Sequence, residues 1–387
     1  MASLWSRLTG ATKPEELKSS GVQSIFTATQ LAEFDLGNGL PSRVAQAGYQ
    51  RNPVVFRCVR MLTEAAVSVP FRVSVDGAES VEHPLVRLLT NPNLRQSGAE
   101  LYEQLYAHLF TSGNAYLQAV LADGEIKGFY ALRPGRTKAE PGGDGWVAAY
   151  RYETGPRTIR LDQNTEPVAQ ILHLKLFNPA DDHYGLSPLA AAQVSLETHD
   201  AASRWNRALL KNAARPSGAL VYSAASGNLT DTQFKRLKEE LEAGFQGAIN
   251  AGRPMVLEGG LDWKSMSMSP RDMDFIEAKH SAARDIALAF GVPPMLLGIP
   301  GDNSYANFAE ANRAFWRQTI VPLVRRTADT IGRWLDPAFD GELVIAPDLD
   351  RIEALAEDRA ALWQRVASAD FLTDDEKRRL VGLEASE

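Results

Sequence analysis

The amino-acid sequence predicts an α+β fold on three observations. Strand and helix patterns alternate over residues 50–180, two long helix patterns then enclose a compact insertion, and a loop rich in proline and glycine leads into a third long helix. At 387 residues, the chain is longer than one hydrophobic core usually organises. We therefore expect two or three packed units.

Helices in the first part of the chain are indicated by proline and by capping residues. A helix is expected over 52–69, because Pro53 stands near its start and Pro70 follows its end. Ser97, with Glu100 three residues later, predicts a capping box at the start of another helix. A shorter helix is expected at 83–90. Strands are expected at 71–75, 115–121, 126–132, 147–153, 158–161 and 170–176, with a hairpin turn at Asp123-Gly124 between 115–121 and 126–132.

The first long helix pattern runs over residues 187–212 without a helix-breaking residue. Its polar residues recur every three or four positions, which predicts one charged stripe formed by Gln193, Glu197, Asp200, Arg204, Arg207 and Lys211. Apolar residues mark another face of the helix at Val194, Ala201, Trp205 and Ala208. His199 on this helix and His280 on the next are expected on polar helix surfaces.

The insertion over 214–260 contains a helix with a complete N-terminal signal. Thr230 is its expected N-cap, Gln233 closes a capping box, and Leu229 with Phe234 forms a hydrophobic staple. Strand patterns accompany this helix at 218–223, 254–257 and 261–268.

A second long helix is expected to begin at Ser269-Pro270 and to end at Gly291. The proline- and glycine-rich loop covers 292–303, and a third long helix continues from there to about residue 335. Pro322 removes one hydrogen bond from that helix, so we expect a bend near it. The remaining strand and two smaller helices are expected at 342–346, 351–368 and 373–381.

Charge and cysteine content exclude several classes of protein. Proteins that grip DNA are usually basic, whereas this chain has a formal net charge of −7. The balance argues against tight DNA binding and is compatible with a surface over which DNA slides.

Cys58 is the single cysteine, so no internal disulfide and no cysteine-cluster zinc site is expected. No stretch approaches the roughly 20 apolar residues of a membrane span, and we expect no membrane contact.

Catalytic motifs are almost absent from the sequence. It has no nucleotide-binding loop pattern, no G-x-S-x-G turn and no H-E-x-x-H pair. One cluster, formed by His173, Asp181, Asp182 and His183, has the residue types that bind a divalent metal and activate water. The other interpretation is a loop in which aspartate side chains form turn hydrogen bonds. We expect no cofactor and no enzymatic activity, with a metal-dependent hydrolase as the alternative.

Seven short stretches, in this order, resemble the portal proteins of tailed bacteriophages in the lineage with the Hong Kong-type capsid. They are NPVVFRCV at 52–59, NPN at 91–93, GNAY at 113–116, YGLSPL at 184–189, ARPSG at 214–218, GVPPMLLG at 291–298 and FLT at 371–373. The resemblance spans roughly residues 50–380 and includes portals of phages, prophages and gene-transfer particles.

The resemblance implies a portal-type fold and a ring of subunits, usually twelve, at one capsid vertex. The parts it implies are an N-terminal arm at 1–50, a wing at 51–185 and again at 309–350 with the long bent helix, stem helices at 186–213 and 269–291, a clip at 214–268, a tunnel loop at 292–308 and a short helical crown at 351–387.

The resemblance also implies functional surfaces. Double-stranded DNA would pass the tunnel loop at Asp302, Asn303, Ser304, Tyr305 and Asn307. The stem would present the polar face of Glu197, Asp200, Arg204, Arg207 and Lys211. The clip would bind partners through Gln233, Lys235, Lys238, Glu239 and Glu242.

The partners implied are further copies of the chain, double-stranded DNA, the major capsid protein, the large terminase subunit and a head-tail adaptor. The implied location is a capsid vertex of a virion assembled in the bacterial cytoplasm. A third interpretation, an oligomeric adaptor that never touches DNA, remains open at this point.

Overall fold

The computed structural model describes residues 48–211, 218–222, 230–233, 235–236, 238–239, 261–265, 275–300 and 305–382. Helix α1 (Pro53–Val67) begins at Asn52, whose side chain accepts the backbone N–H groups of Val54 and Val55 at 3.0 and 3.2 Å. These contacts satisfy two of the N–H groups that every helix start leaves without a partner. Cys58 on α1 is fully buried, and burial raises the pKa of its thiol to about 12.

The two ends of the described chain meet in one sheet. Strand β1 (Phe71–Val75) pairs antiparallel with the late strand β11 (Leu343–Pro347) and with the two-residue strand β2 (Ala78–Glu79). Helix α2 (Pro84–Thr90) and helix α3 (Gly98–Ser112) follow, and the capping box of Ser97 is present at the start of α3. The first and last thirds of the chain therefore share a core.

Two further three-stranded sheets lie between α3 and the first long helix. One has the order β4-β3-β8 and the other the order β5-β6-β7. Asp123 and Gly124 form the predicted hairpin turn with positive φ values of 57° and 79°. The strands are β3 (Asn114–Ala122), β4 (Glu125–Leu132), β5 (Thr137–Pro141), β6 (Val147–Thr154), β7 (Arg157–Asp162) and β8 (Ile171–Lys175).

Strand β5 was missed by the sequence analysis. Its outward residues Lys138 and Glu140 form ion pairs with Glu153 and Arg151 on the neighbouring strand. Cross-strand charge pairs therefore contribute to its stability, together with the buried residue Thr137. A search for hydrophobic alternation does not detect such a strand.

The first long helix is divided into two pieces. A one-turn helix α4 (Pro188–Ala191) is followed by α5 (Gln193–Lys211), with Ala192 between them at φ −86° and ψ 7°. The expectation of one uninterrupted helix was therefore wrong, and nothing in the sequence at Ala192 explains the interruption. The second long helix, α6 (Phe275–Ala289), ends at Gly291 with φ +67°, as expected. Its predicted start at Ser269-Pro270 lies outside the described residues.

Within the insertion, β9 (Gly218–Tyr222) pairs antiparallel with β10 (Leu261–Ser265). The helix start at Thr230 is confirmed, since the side chain of Gln233 accepts hydrogen bonds from the Thr230 backbone N–H and hydroxyl at 3.0 and 2.9 Å. Residues 231–233, 235–236 and 238–239 are helical. The staple of Leu229 with Phe234 and the strand expected at 254–257 lie outside the described residues.

The third long helix contains an irregular turn where a bend was expected. Helix α7 (Tyr305–Phe315) continues through a π-helical turn (Trp316–Ile320) into α8 (Val321–Leu335). The turn directly precedes Pro322, whose ring would otherwise clash with the preceding turn of the helix. After β11 come α9 (Ala356–Ala367) and α10 (Asp374–Leu380). The first of these begins later than the predicted residue 351, because two short 3₁₀ turns occupy 349–355.

One hydrophobic core joins the early helices to the late ones. It contains Leu62 of α1, Leu105 of α3, Ile286 of α6 and Ile331 of α8, each at most 1% exposed. Burial of a side chain of this size contributes about 1.5–3 kcal/mol. The beginning of α5 and the end of α6 therefore lie in a well-packed core, through Leu196 and Ile286. Within the described residues, no helix is both long and apolar enough to cross a membrane.

Candidate functional site

The paired long helices α5 and α6 pack against each other and carry the polar stripe predicted from sequence. Glu197 is half-buried and accepts a hydrogen bond from Gln193 at 3.1 Å, and Asp200 is half-buried against Asn52. Arg204 and Arg207 are exposed, whereas the side chain of Lys211 lies outside the described part of the chain. The stripe is therefore not one continuous solvated surface, since Gln193, Glu197 and Asp200 are half-buried whereas Arg204 and Arg207 are exposed.

The apolar face predicted for α5 is not the face that is buried. Val194 is 76% exposed and Trp205 41% exposed, and Ala201 and Ala208 are also exposed. The residues that α5 buries are instead Leu196, His199 and Ala202. The expectation that His199 lies on a polar helix surface was therefore wrong. On α6, Leu288 is also 77% exposed.

His199 is part of a buried junction between α1 and α5. The Asn52 side-chain amide donates one hydrogen bond to His199 Nδ1 at 3.0 Å and another to Asp200 Oδ1 at 3.1 Å. Because the same side chain also caps α1, one buried residue fixes the start of α1 against the middle of α5. Burial lowers the pKa of His199, and Lys279 of α6 adds to that effect, while Asp200 opposes it.

A second polar junction lies where β3 and β8 meet the loop before α4. His173 Nε2 donates to Asn114 Oδ1 at 2.9 Å, and the hydroxyl of Tyr150 donates to His173 Nδ1 at 3.0 Å. Asn114 Oδ1 also accepts the backbone N–H of Gly185 at 2.7 Å. The ring of His173 stacks on Tyr116. Burial lowers the pKa of His173 to about 3, and the charge of Lys175 adds to the shift. The ring is therefore neutral, and both of its nitrogens already have partners.

These histidines predict a loss of stability in mild acid. Burial also lowers the pKa of His108 to about 4, with a contribution from Arg133. In the unfolded chain these side chains take up protons near about pH 6.5. The unfolded state therefore binds more protons than the folded state, and stability is lost as the pH falls from about 6.5 toward 4. We expect a lower urea midpoint at about pH 5 than at about pH 7.5.

A matched variant tests the cause of this acid sensitivity. His108→Gln should reduce the difference between the two midpoints, whereas His280→Gln should leave it unchanged, because His280 lies partly exposed 4.0 Å from Glu277. Equal midpoints for the unmodified chain at both pH values would contradict the prediction.

The alternative metal site does not form. His173 is occupied by Asn114 and Tyr150, and Asp181 Oδ1 accepts the backbone N–H groups of His183 and Tyr184 at 2.7 and 3.0 Å. Asp181 therefore makes the turn hydrogen bonds of the other interpretation. Within the described ranges, no group of three or more His, Cys, Asp or Glu residues is arranged to hold a metal ion.

The loop predicted after α6 is partly helical. A 3₁₀ turn (Pro294–Leu297) ends at Gly298, and Tyr305 and Asn307 lie in the first turn of α7 rather than in a loop. Asn307 is exposed, and Phe308 beside it is 48% exposed. Asp302, Asn303 and Ser304 lie outside the described residues.

The partner-binding residues predicted in the insertion lie on its helix. Gln233, Lys235, Lys238 and Glu239 are all exposed. Gln233 is also the residue that closes the capping box, so its side chain has a structural role. Glu242 lies outside the described residues.

Comparison with known proteins gives these surfaces a context. Residues 53–382 match the phage portal protein family. The chain belongs to this family. This portal family member is 43% identical over 358 residues to an uncharacterized protein of Rickettsia bellii, covering 92% of both chains. It is 27% identical over 340 residues to the portal protein of Enterobacteria phage HK97, covering 84% of this chain and 77% of the other.

Solved structures with a similar fold include a chain of a gene transfer agent particle and a phage portal protein. A chain from the neck of an empty gene transfer agent particle is 48% identical, with a TM-score of 0.72 and coverage of 90% of this portal family member and 95% of that chain. The HK97 family phage portal protein of Corynebacterium diphtheriae has a TM-score of 0.57 at 17% identity, which supports the fold alone. The α+β portal-type fold expected from the sequence is thereby confirmed.

The sequence did not predict the hydrogen bonds that Asn52 and Asn114 make to residues distant in the chain. The sequence indicated Asn52 only as the residue before a helix, and its contact with His199 spans 147 positions. The resemblance did contain a signal, because Asn114 of the GNAY stretch binds Gly185 of the YGLSPL stretch. Two of the stretches that resemble the family are therefore in contact in the folded chain.

Proposed function

We propose that copies of this chain form a closed ring at one vertex of a particle and that double-stranded DNA passes through its centre. The observation that carries this proposal is the 48% identity over 89% of the chain to a subunit of the neck of a native gene transfer agent particle computed with C12 symmetry. A ring of twelve copies is the arrangement we expect here. Its place would be a capsid vertex, with assembly in the bacterial cytoplasm.

The exposed stripe on the paired long helices supports ring formation. In a ring built by head-to-tail contacts, each subunit presents two different surfaces to its neighbours. Val194 and Ala201 of α5 are exposed in the single chain and lie two turns apart on one face of the helix. We propose that α5 and α6 are the stem of the ring and that this stripe contacts the next stem.

Val194→Asp is expected to weaken ring formation while leaving the subunit folded. The side chain is 76% exposed in the single chain, so the charge has little effect on folding, but in the ring it would be buried. We expect the concentration for half-assembly to rise about tenfold or more, measured by light scattering after size-exclusion chromatography. Val81→Asp is the matched control, because Val81 is also 76% exposed and lies outside α5 and α6. An equal effect of both substitutions would contradict the assignment of this stripe.

The charge of the chain supports sliding rather than gripping of DNA. Counterion release gives tight, salt-dependent binding only where Lys and Arg neutralise phosphates, and this chain has a net charge of −7. The segment 292–308 is proposed as the tunnel loop. Its residues Asp302, Asn303, Ser304, Tyr305 and Asn307 include no Lys or Arg.

Replacing both Asp302 and Asn303 with Lys is expected to slow DNA translocation in a packaging assay. The substitutions remove one negative charge and add two positive charges per subunit, which would attract phosphates, and the slowing should be larger at low salt, where screening is weaker. Replacement of the same residues with Gln is the control and should leave the rate near that of the unmodified chain. Equal rates for the Lys variant at low and moderate salt would contradict the electrostatic explanation.

The remaining parts and partners belong to the same proposal. Residues 214–268 would form a clip that docks the large terminase subunit and later a head-tail adaptor, with Lys235, Lys238 and Glu239 on its exposed surface. Because the sequence contains no nucleotide-binding loop, that terminase would supply the energy. The wing (51–185 and 309–350) would contact the major capsid protein.

Electron microscopy of the purified chain tests the whole proposal. Rings with a central hole wide enough for a DNA duplex are the expected result. Closed oligomers without such a hole would favour an adaptor that never touches DNA. A monomer at concentrations where related portals assemble would contradict ring formation itself.

A further inference from the structure

A groove near the C-terminal end of the described chain combines an apolar floor with a cationic rim. It lies between the start of α8, the two short 3₁₀ turns and α9, and its volume is about 340 Å³. That volume is at the lower end of the roughly 300–1,000 Å³ found for ligand pockets. The floor is formed by Val321, Leu349, Leu355 and Leu362. The rim carries Arg317, Arg325, Arg359, Asp350 and Asp358.

Three arginines and two aspartates line the groove, so its lining residues carry a net positive charge. Asp358 lies 4.0 Å from both Arg313 and Arg317, and Asp350 lies 3.4 Å from Arg72, so each carboxylate already faces a cation. Arg359 donates to the backbone carbonyl of Leu349 at 2.8 Å and is held by that contact. Within the described part of the chain, no carboxylate lies within 4.0 Å of the exposed Arg325. The rim therefore has a cation available for an incoming acidic group.

A second surface of the same chain has the complementary character. Phe371, between α9 and α10, is 86% exposed. Thr373 caps α10, and the carboxylate of Glu376 accepts the Thr373 backbone N–H and hydroxyl, each at 2.8 Å. The capping box holds the turn in place, so an exposed aromatic ring is followed at a fixed distance by the exposed carboxylate of Asp374. The ring of Phe371 complements the apolar floor of the groove, and the carboxylate of Asp374 complements the positive charge of Arg325.

We propose that Phe371 of one copy of the chain occupies this groove on a second copy, with Asp374 of the same segment facing Arg325. The occupant is a second copy because both halves of the contact are on this chain, while its own Phe371 remains exposed to solvent. The two surfaces differ, so the contact is head-to-tail, the type that closes into rings. The proposal rests on the ring described above and adds a contact outside the paired long helices.

Cross-linking between single-cysteine variants tests the contact directly. Arg325→Cys and Asp374→Cys are purified separately, mixed before assembly and treated with a short bismaleimide. A covalent dimer is expected only in the mixture, because the buried Cys58 thiol has a pKa raised to about 12 and stays unreactive. Normal rings without a cross-linked dimer would overturn the proposal. Cross-linking within single chains of the double variant would overturn it equally.

Charge exchange gives an independent test. Arg325→Glu and Phe371→Ala should each raise the concentration for half-assembly about tenfold, and Asp374→Arg added to Arg325→Glu should restore it to within about threefold. Arg333→Glu, on the same helix and 79% exposed, is the control and should have no effect. Phe371→Ala removes only an exposed side chain, so it keeps the test decisive even if a charge variant fails to fold. Rings that form equally well in all variants would contradict this contact. An unmodified chain that forms no rings would instead contradict the proposed function.

Discussion

Gly185→Ala is expected to abolish folding of the chain, with a loss of more than about 4 kcal/mol of stability. A Cβ atom at this position would lie 2.1 Å from the backbone oxygen of Gly113 and 2.8 Å from the backbone nitrogen and oxygen of Leu176. All three are backbone atoms, which no side-chain rotation can move. The loop before α4 would have to leave β8, and with it the hydrogen bond of Asn114 to Gly185. Soluble yield and urea unfolding measure the effect.

The reciprocal substitution should be nearly as severe. At Gly113 a Cβ atom would lie 2.4 Å from the Gly185 oxygen, and φ is +78°, a conformation that favours glycine. Gly143→Ala is the control, because a Cβ atom there would meet nothing within 4 Å in the loop between β5 and β6. That variant should stay within about 1 kcal/mol of the unmodified chain. A folded Gly185→Ala variant with an unchanged midpoint would contradict the close approach of the two loops.

Asn52→Ala is expected to cost about 2–4 kcal/mol of stability. The substitution removes the cap of α1 and leaves the buried His199 Nδ1 and the half-buried Asp200 without their shared donor. Urea unfolding at neutral pH measures the loss. Thr373→Ala is the matched control, because Thr373 caps an exposed helix and has only local partners, so it should cost about 1 kcal/mol.

A double-mutant cycle separates the cap from the contact with α5. Asn52→Ala and His199→Gln remove the same hydrogen bond, so their combined effect should be smaller than the sum of the single effects. Strict additivity would show that the contact across 147 positions contributes nothing. Because Asn52 joins α1 to α5, the same variants should also loosen the base from which the proposed stem extends.

Local signals in the sequence predicted local structure well. The capping boxes at Ser97 and Thr230, the hairpin turn at Asp123-Gly124 and the end of α6 at Gly291 all stand where expected. Each depends on a few neighbouring residues, whose side chains or φ values decide the outcome within one turn. Such signals act independently of the rest of the fold.

Other features depended on contacts that adjacent residues do not encode. The buried face of α5 could not be read from residue size, because Leu196, His199 and Ala202 are buried while the larger Val194 is 76% exposed. Strand β5 depends on ion pairs with β6 rather than on its own hydrophobicity. The junctions at Asn52 and Asn114 join positions far apart in the chain, and the stretches that resemble the family contain both partners only for Asn114 and Gly185.

The π-helical turn ahead of Pro322 makes the length of this helix as important as its residue types. Val321 donates to the carbonyl of Trp316, five residues back, so the turn holds one residue more than an α-helical turn. Loss of one residue between 316 and 320 would let an ordinary α-helical turn close there, and α8 would keep nearly its present rotation relative to α7. Loss of one residue within α8, by contrast, would rotate everything downstream by roughly 100°. Ile331 would then leave the core while the exposed Arg333 turned inward. The extra residue of this turn is therefore easier to lose than a residue of the regular helix that follows it.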